Sequence, residues 1–207
     1  MDCINLADIH TKYSTDKGTE HNYINVYDTL FKKYQCLDNI NFLEIGIFTG
    51  GSLKMFHEYF QKAIIYGVDP FIRNDNDALS QEFLKDGATC IEDRLLKDLQ
   101  QYDRMKVIKG FSQKVSFQDG LKFSIVIDDG DHSPQAQLDT FTNIEKYLTD
   151  DGIYIIEDVI NQTVTNNLIN ILKTRYAGKW SFVPLFLNIK HRADDILIIA
   201  RRINNRL

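Results

Sequence analysis

The chain has 207 residues, 43% of them hydrophobic and 26% charged, which is the composition of one globular domain long enough to bury a core. Its net charge of −5 offers no electrostatic basis for binding nucleic acid, and no apolar run approaches membrane-spanning length. Cys3, Cys36 and Cys90 lack metal-ligand spacing and the N-terminus lacks a charged-then-apolar leader pattern, so a reduced cytoplasmic protein is expected.

Residues 1–40 precede the first core strand and read as an N-terminal cap. Within them, 14–23 is polar and crowds Asp16, Lys17, His21 and Tyr23 together, where they could cover a cofactor or meet a substrate. Residues 24–34 have the period of an amphipathic helix that buries Val26, Tyr27, Leu30 and Phe31. The next stretch organises the chain. An apolar run, 42–45, is interrupted only by Glu44, and is followed by Gly46, the turn Gly50-Gly51-Ser52 and an apolar-periodic segment to about Phe60. That is a buried strand, a glycine turn and a helix start. A second strand, 64–68, ends in Asp69, where a carboxylate can accept hydrogen bonds from both hydroxyls of a ribose.

A dinucleotide turn needs glycine at the position held by Phe48, so an NAD-dependent oxidoreductase is disfavoured. Glu44-x-Gly46-x-x-x-Gly50 instead resembles the first motif of class I S-adenosylmethionine (SAM) methyltransferases. SAM carries an amino-acid head and an adenosine but no phosphate, which suits a glycine turn beside a ribose-binding acid. Glu44, Gly46, Gly50, Ser52 and Asp69 are the candidate cofactor residues on this side.

Residues 72–105 are longer than a simple crossover needs. Helical patterns at 77–84 and 93–99, separated by Gly87, suggest a lid, a specificity element or a spacer. A third strand, 106–110, leads to Phe111 and Ser112, where an adenine would rest. The fourth strand, 123–127, runs into Asp128-Asp-Gly-Asp-His132 and a helix, 134–148. The fifth, 152–156, ends in Glu157-Asp158. A helix at 164–176 and strands at 181–186 and 195–200 close the chain. The pattern predicts a single α/β domain, Rossmann-like, with a seven-stranded mostly parallel sheet, helices on both faces and an antiparallel final hairpin.

Ligands of open parallel sheets sit beyond the carboxyl ends of the strands. Asp129, Glu157 and Asp158 lie at two such ends. Three hard oxygen donors without histidine or cysteine ligation suit Mg²⁺ or another divalent cation; the alternative is a loop sequence with a capping aspartate. Of the five histidines (His10, His21, His57, His132 and His191), His132 adjoins both acid clusters. Its ordinary pKa suits a general base at neutral pH, with Asp128 and Asp131 as competing bases.

Taken in order, Ser14-Thr-Asp-Lys-Gly with His21 and Tyr23, the glycine turn, Gly67-Val-Asp-Pro70, Ile127-Asp-Asp-Gly-Asp-His132 and Ile156-Glu-Asp158 resemble a known family. They are similar to the metal-dependent sugar O-methyltransferases of macrolide biosynthesis, mycinamicin type, and to the group named cephalosporin hydroxylase or rhamnosyl O-methyltransferase. The resemblance spans residues 14–158. It implies SAM at Glu44, Gly46 and Asp69, a metal at Asp129, Glu157 and Asp158, His132 as base, and a sugar acceptor, free or nucleotide-linked. The macrolide enzymes carry a large N-terminal part without counterpart here, and 72–105 is longer than expected, so the reaction transfers more readily than the acceptor. A SAM- or nucleotide-binding protein without transfer activity is the other reading, and a homo-oligomer is compatible with either.

Overall fold

The structure, a computed structural model, describes residues 4–72, 91–187 and 192–203. The helix expected at 77–84, Gly87, Cys3, Cys90 and His191 lie outside the described residues, as does much of the expected lid. Seven strands, β1 (Asn41–Ile45), β2 (Ile64–Asp69), β3 (Met105–Lys109), β4 (Phe123–Asp128), β5 (Leu148–Ile156), β6 (Trp180–Phe186) and β7 (Ile196–Arg202), form one sheet ordered β3-β2-β1-β4-β5-β7-β6. The first five are parallel, and β7 enters antiparallel between β5 and β6. This is the expected architecture.

Six helices are described: α1 (Leu6–Ile9), α2 (Tyr23–Phe31), α3 (Gly51–Tyr59), α4 (Ile91–Leu99), α5 (Pro134–Ile144) and α6 (Gln162–Arg175). Successive side chains of a strand point to opposite faces, and both faces are dry. Phe42, Ile65, Ile125, Ile127, Ile153 and Ile155 enter one core with α1, α2 and α3. Leu43, Ile45, Val126, Tyr154 and Ile156 enter a second with α5 and α6.

The larger departures from the expected boundaries lie in two places. The helical period at 24–34 ends as a 3₁₀ turn, Lys32–Tyr34, and Tyr23 and Ile24 are buried where Val26 and Leu30 are only partly so. The helix expected at 134–148 tightens into a 3₁₀ turn at Glu145–Tyr147, and β5 starts at Leu148, four residues early, through an irregular pairing beside Phe123. Polar Thr149, Asp150 and Asp151 hide that lead-in from an apolar pattern.

The strand ends are level. Ile45 pairs with both Val68 and Asp128, and Asp128 pairs with Ile156. Beyond the ladders, the N–H of Asp129 donates to the Ile45 carbonyl and that of Glu157 to the Asp128 carbonyl, both at 2.9 Å. Everything that follows β1, β2, β4 and β5 therefore meets at one edge of the sheet.

Candidate active site

That edge carries a cleft of about 1280 Å³. Gly46, Ser52, Asp69, Phe111, Ser112, Asp129, His132 and Asp158 line it, together with residues 13–17 from the N-terminal cap. Of the other residues singled out in the sequence, Glu44, Gly50 and Glu157 lie behind the wall.

The glycine turn is shaped by its protein neighbours. Gly46 has φ +78°, and a Cβ there would sit 1.9 Å from the Asp129 carbonyl oxygen; Gly50 has φ +75°, and a Cβ would meet Leu95 of α4. Gly51 is pressed by the cap, because its Cβ would fall 1.8 Å from the Ser14 carbonyl oxygen. These glycines let backbone approach backbone. Glu44, buried under the turn, accepts a hydrogen bond from Ser52 Oγ at 2.7 Å. Burial pushes its carboxyl up to about 7 against the pull of Lys17.

Asp69 stands at the end of β2 with its carboxylate fixed by backbone. The N–H of Ile47 donates to Oδ2 at 3.0 Å and that of Phe71 to Oδ1 at 2.7 Å. The rim beyond it is apolar and exposed: Phe48, Ile72 and Phe111 all present surface there. Ser112 is instead buried, with its hydroxyl 2.7 Å from that of Thr140.

At the other end the acids separate into two groups. Asp158 has φ +52°, a left-handed conformation that aspartate tolerates better than most residues, and this turns it into the cleft while Glu157 points inward. One ligand atom each from Asp129, His132 and Asp158 lies within 4.8 Å of the others, and this is the group among the described residues that could hold an ion. His132 Nε2 is 3.3 Å from Asp129 Oδ1, and Nδ1 is 3.8 Å from Asp158 Oδ2. Tyr23 Oη donates to Asp158 Oδ1 at 2.5 Å, and buried His21 lies between Asp158 and Asp195 at 3.6 and 3.4 Å. Burial and the neighbouring Asp129 raise the Asp158 pKa, a repulsion that a cation would relieve. The two carboxylates are hard oxygen donors that fit a divalent ion, and the imidazole stands beside them.

Glu157, expected as a third ligand, makes other contacts. It accepts hydrogen bonds from Tyr27 Oη and, at 2.7 Å, from Lys17 Nζ. Lys17 also donates to Asp129 Oδ2 at 2.6 Å and lies 3.4 Å from Glu44 Oε1, with only 1% of its surface exposed. Burial alone would lower its pKa, but Asp129, Glu157 and Glu44 hold it well above the usual value. Lys17, with His132, in turn outweighs the burial of Asp129 and holds that carboxylate below its usual range. The hydrogen bond to Asp129, against burial, lifts His132 to about 8. The competing bases are placed differently. Asp128 is buried and accepts from Tyr154 Oη at 3.1 Å. Asp131 lines the cleft, where it accepts from the Ser133 N–H at 2.9 Å.

Sequence reasoning missed the ionic role of Lys17 and the clamps formed by Tyr23 and Tyr27. The crowding at 14–23 was a signal, but partners 112 and 140 residues away were not legible.

No family model matches the chain. Among curated proteins it is 27% identical over 167 residues to mycinamicin VI 2''-O-methyltransferase of Micromonospora griseorubida, and 30% identical over 162 residues to demethylmacrocin O-methyltransferase of Streptomyces fradiae. Each alignment covers 74% of this chain and 36% of the relative, so the chain spans about a third of the length of the curated proteins it matches. Among solved structures, the MycE methyltransferase of the mycinamycin pathway, in complex with Mg and SAH, superposes with a TM-score of 0.68 at 20% identity, covering 99% of this chain and 56% of that one. A fibrillarin pre-rRNA processing protein of Methanococcus jannaschii reaches 0.52 at 16% identity, over 79% of this chain and 66% of that one. The fold is that of the class I methyltransferases, and the curated proteins the chain resembles are sugar O-methyltransferases.

Proposed function

We propose that this domain transfers the methyl group of SAM to a hydroxyl of a sugar or sugar-like acceptor, with a divalent cation, Mg²⁺ by its hard oxygen donors, bound beside the acceptor. The observation that carries this reading is the convergence of Asp129, Asp158 and His132 in the same cleft as the glycine turn and Asp69. SAM supplies an electrophilic methyl, and a cation lowers the pKa of a hydroxyl coordinated to it.

The chain's own residues do the rest. Asp69 accepts from the ribose hydroxyls: a carboxylate has about four acceptor sites, and the backbone N–H groups of Ile47 and Phe71 orient it. Phe111 and Phe48 offer apolar faces to a flat base. Gly46 and Ser52 border the amino-acid head, while Glu44 and Gly50 shape the turn from behind. Asp129 and Asp158 hold the cation. Glu157 stands behind them, held by Lys17 and Tyr27. His132 takes the acceptor proton, because its ring lies beside both carboxylates and is half exposed to the cleft.

The acceptor is a small carbohydrate, free or nucleotide-linked, and the setting is cytoplasmic biosynthesis. Among the described residues no helix is long and apolar enough to cross a membrane. Calorimetry with SAM, S-adenosylhomocysteine and NAD⁺, followed by methyl-transfer assays on nucleotide-activated sugars and on sugars attached to small-molecule aglycones, tests the reading. SAM should bind with or without EDTA, while turnover should need Mg²⁺. Preference for NAD⁺, or full turnover after exhaustive chelation, would overturn it.

A further inference from the structure

We propose that Arg192 and Glu20 form a donor–acceptor pair that reads a second, uncharged hydroxyl of the acceptor sugar. This rests on the reading of the domain as a sugar O-methyltransferase and names a subsite of that cleft. The sheet order places the pair. Asp69 ends β2, the glycine turn follows β1, and Asp129 and Asp158 follow β4 and β5. β7 is next in the sheet and runs antiparallel, so the residues just before it, 192–195, stand at the same edge. Arg192 therefore lines the cleft on the far side of Asp129 and Asp158 from the cofactor residues, and Glu20 lines it from the N-terminal cap. With SAM on the first side, the rest of an acceptor held at Asp129 and Asp158 lies towards Arg192.

The guanidinium is braced from behind. Its Nε and Nη2 donate to Asp194 Oδ1 and Oδ2, both at 2.9 Å, a forked pairing that fixes its plane. The backbone of Asp194 is fixed in turn. Its carbonyl accepts from the Ile196 N–H at 2.7 Å and lies 3.4 Å from Tyr23 Oη, the group that donates to Asp158. Asp194 leaves Nη1 to other partners, and Nη1 faces Glu20. The distance from Nη1 to Glu20 Oε2 is 3.8 Å, too long for a direct hydrogen bond. Glu20 is held by its loop, where its N–H donates to the Asp16 carbonyl at 2.9 Å. A hydroxyl oxygen about 2.8 Å from each atom fits between them. Because a hydroxyl both donates and accepts, it can accept from Nη1 and donate to Oε2. A phosphate or carboxylate has no proton for Glu20, and would meet the carboxylates of Glu20 and Asp194 around one guanidinium. The pair thus selects a neutral hydroxyl over an anion.

Methyl transfer by the full chain with SAM and Mg²⁺ tests this. The acceptors are p-nitrophenyl hexopyranosides of the gluco, galacto and manno series, their monodeoxy analogues, and the matching nucleoside-diphosphate hexoses. In the wild type, deleting the hydroxyl read by the pair should cut kcat/KM about 10–100-fold, the scale of a hydrogen bond to a charged group. Arg192→Met and Glu20→Ala should each cut kcat/KM for the parent glycoside by a similar factor, through KM, and should erase the penalty for that one deoxy analogue. SAM affinity should hold. Both side chains are partly exposed, at 37% and 66%, so neither replacement opens the core. Variants that leave kcat/KM unchanged, or that lower it for all acceptors alike with the deoxy penalty intact, would overturn the pair while the transferase reading stands. A preference for a nucleoside-diphosphate hexose that falls in Arg192→Met and rises in Glu20→Gln would make Arg192 an anion site and overturn the hydroxyl assignment. No methyl transfer to any of these acceptors by the wild type would overturn the sugar-acceptor reading and the pair with it.

Discussion

His132 is where the competing forces at the site can be separated. Its hydrogen bond to Asp129 outweighs burial and lifts its pKa from 6.5 to about 8 in the metal-free protein. A raised folded-state value means that the imidazolium contributes stability below about pH 6.5, and that this contribution is lost as pH rises through about 8. Thermal unfolding in EDTA should show that decline in the wild type, and His132→Ala should lack it. A base must be neutral, so a bound cation and the base role pull the same way: Mg²⁺ should move the His132 titration, followed by NMR, below about 8. Turnover in His132→Ala should fall by about 10²–10⁴-fold with SAM affinity unchanged. Asp128 is a poor rival. It is buried, outside the lining of the cleft, with the Tyr154 hydroxyl as its partner. Asp128→Asn should therefore retain turnover, and a dead Asp128→Asn beside an active His132→Ala would transfer the role.

The glycine turn and the N-terminal cap behave as one unit. Gly50 and Gly51 are adjacent, yet their neighbours differ: the side chain of Leu95 faces one, and the backbone of Ser14 faces the other. Gly50→Ala should cost about 1–2 kcal/mol of stability, since it places a side chain at positive φ, while leaving SAM affinity nearly intact. Gly51→Ala should lose stability and SAM affinity together, because a backbone carbonyl cannot move aside without displacing the cap that lines the cleft. Denaturant titration and calorimetry on both variants check the contrast; equal SAM affinities would sever the cap from the cofactor end. The turn itself was legible in the sequence, since glycine spacing after an apolar strand is a local signal. What the glycines accommodate was not. Gly46 reads as room for a ligand, but the atom nearest to an added Cβ is the carbonyl oxygen of Asp129, brought close by strand pairing.

Across the whole molecule, the layers follow from local pattern, because the middle parallel strands carry apolar residues on both faces and each is followed by a periodic segment. The sheet edge that carries the chemistry follows from that order. The division of the acids does not: consecutive Glu157 and Asp158 look equivalent as a sequence, and only the left-handed turn at Asp158 sends one inward to Lys17 and the other into the cleft. That division makes a prediction about the stability of the entire domain. An ion that binds only the folded state stabilises it by about 2.7 kcal/mol at a concentration a hundred times its Kd. For a domain of this size that corresponds to a rise in Tm of roughly 5–11 °C. Asp158→Asn removes a cleft-side ligand and should abolish the Mg²⁺-dependent rise. Glu157→Gln should keep it, because the introduced amide oxygen would still accept from Tyr27 and Lys17 would still neutralise Asp129. Thermal unfolding of the three proteins with EDTA and with Mg²⁺ decides the matter. A Mg²⁺ shift that survives Asp158→Asn and vanishes in Glu157→Gln would place the ion on Glu157, behind the wall of the cleft.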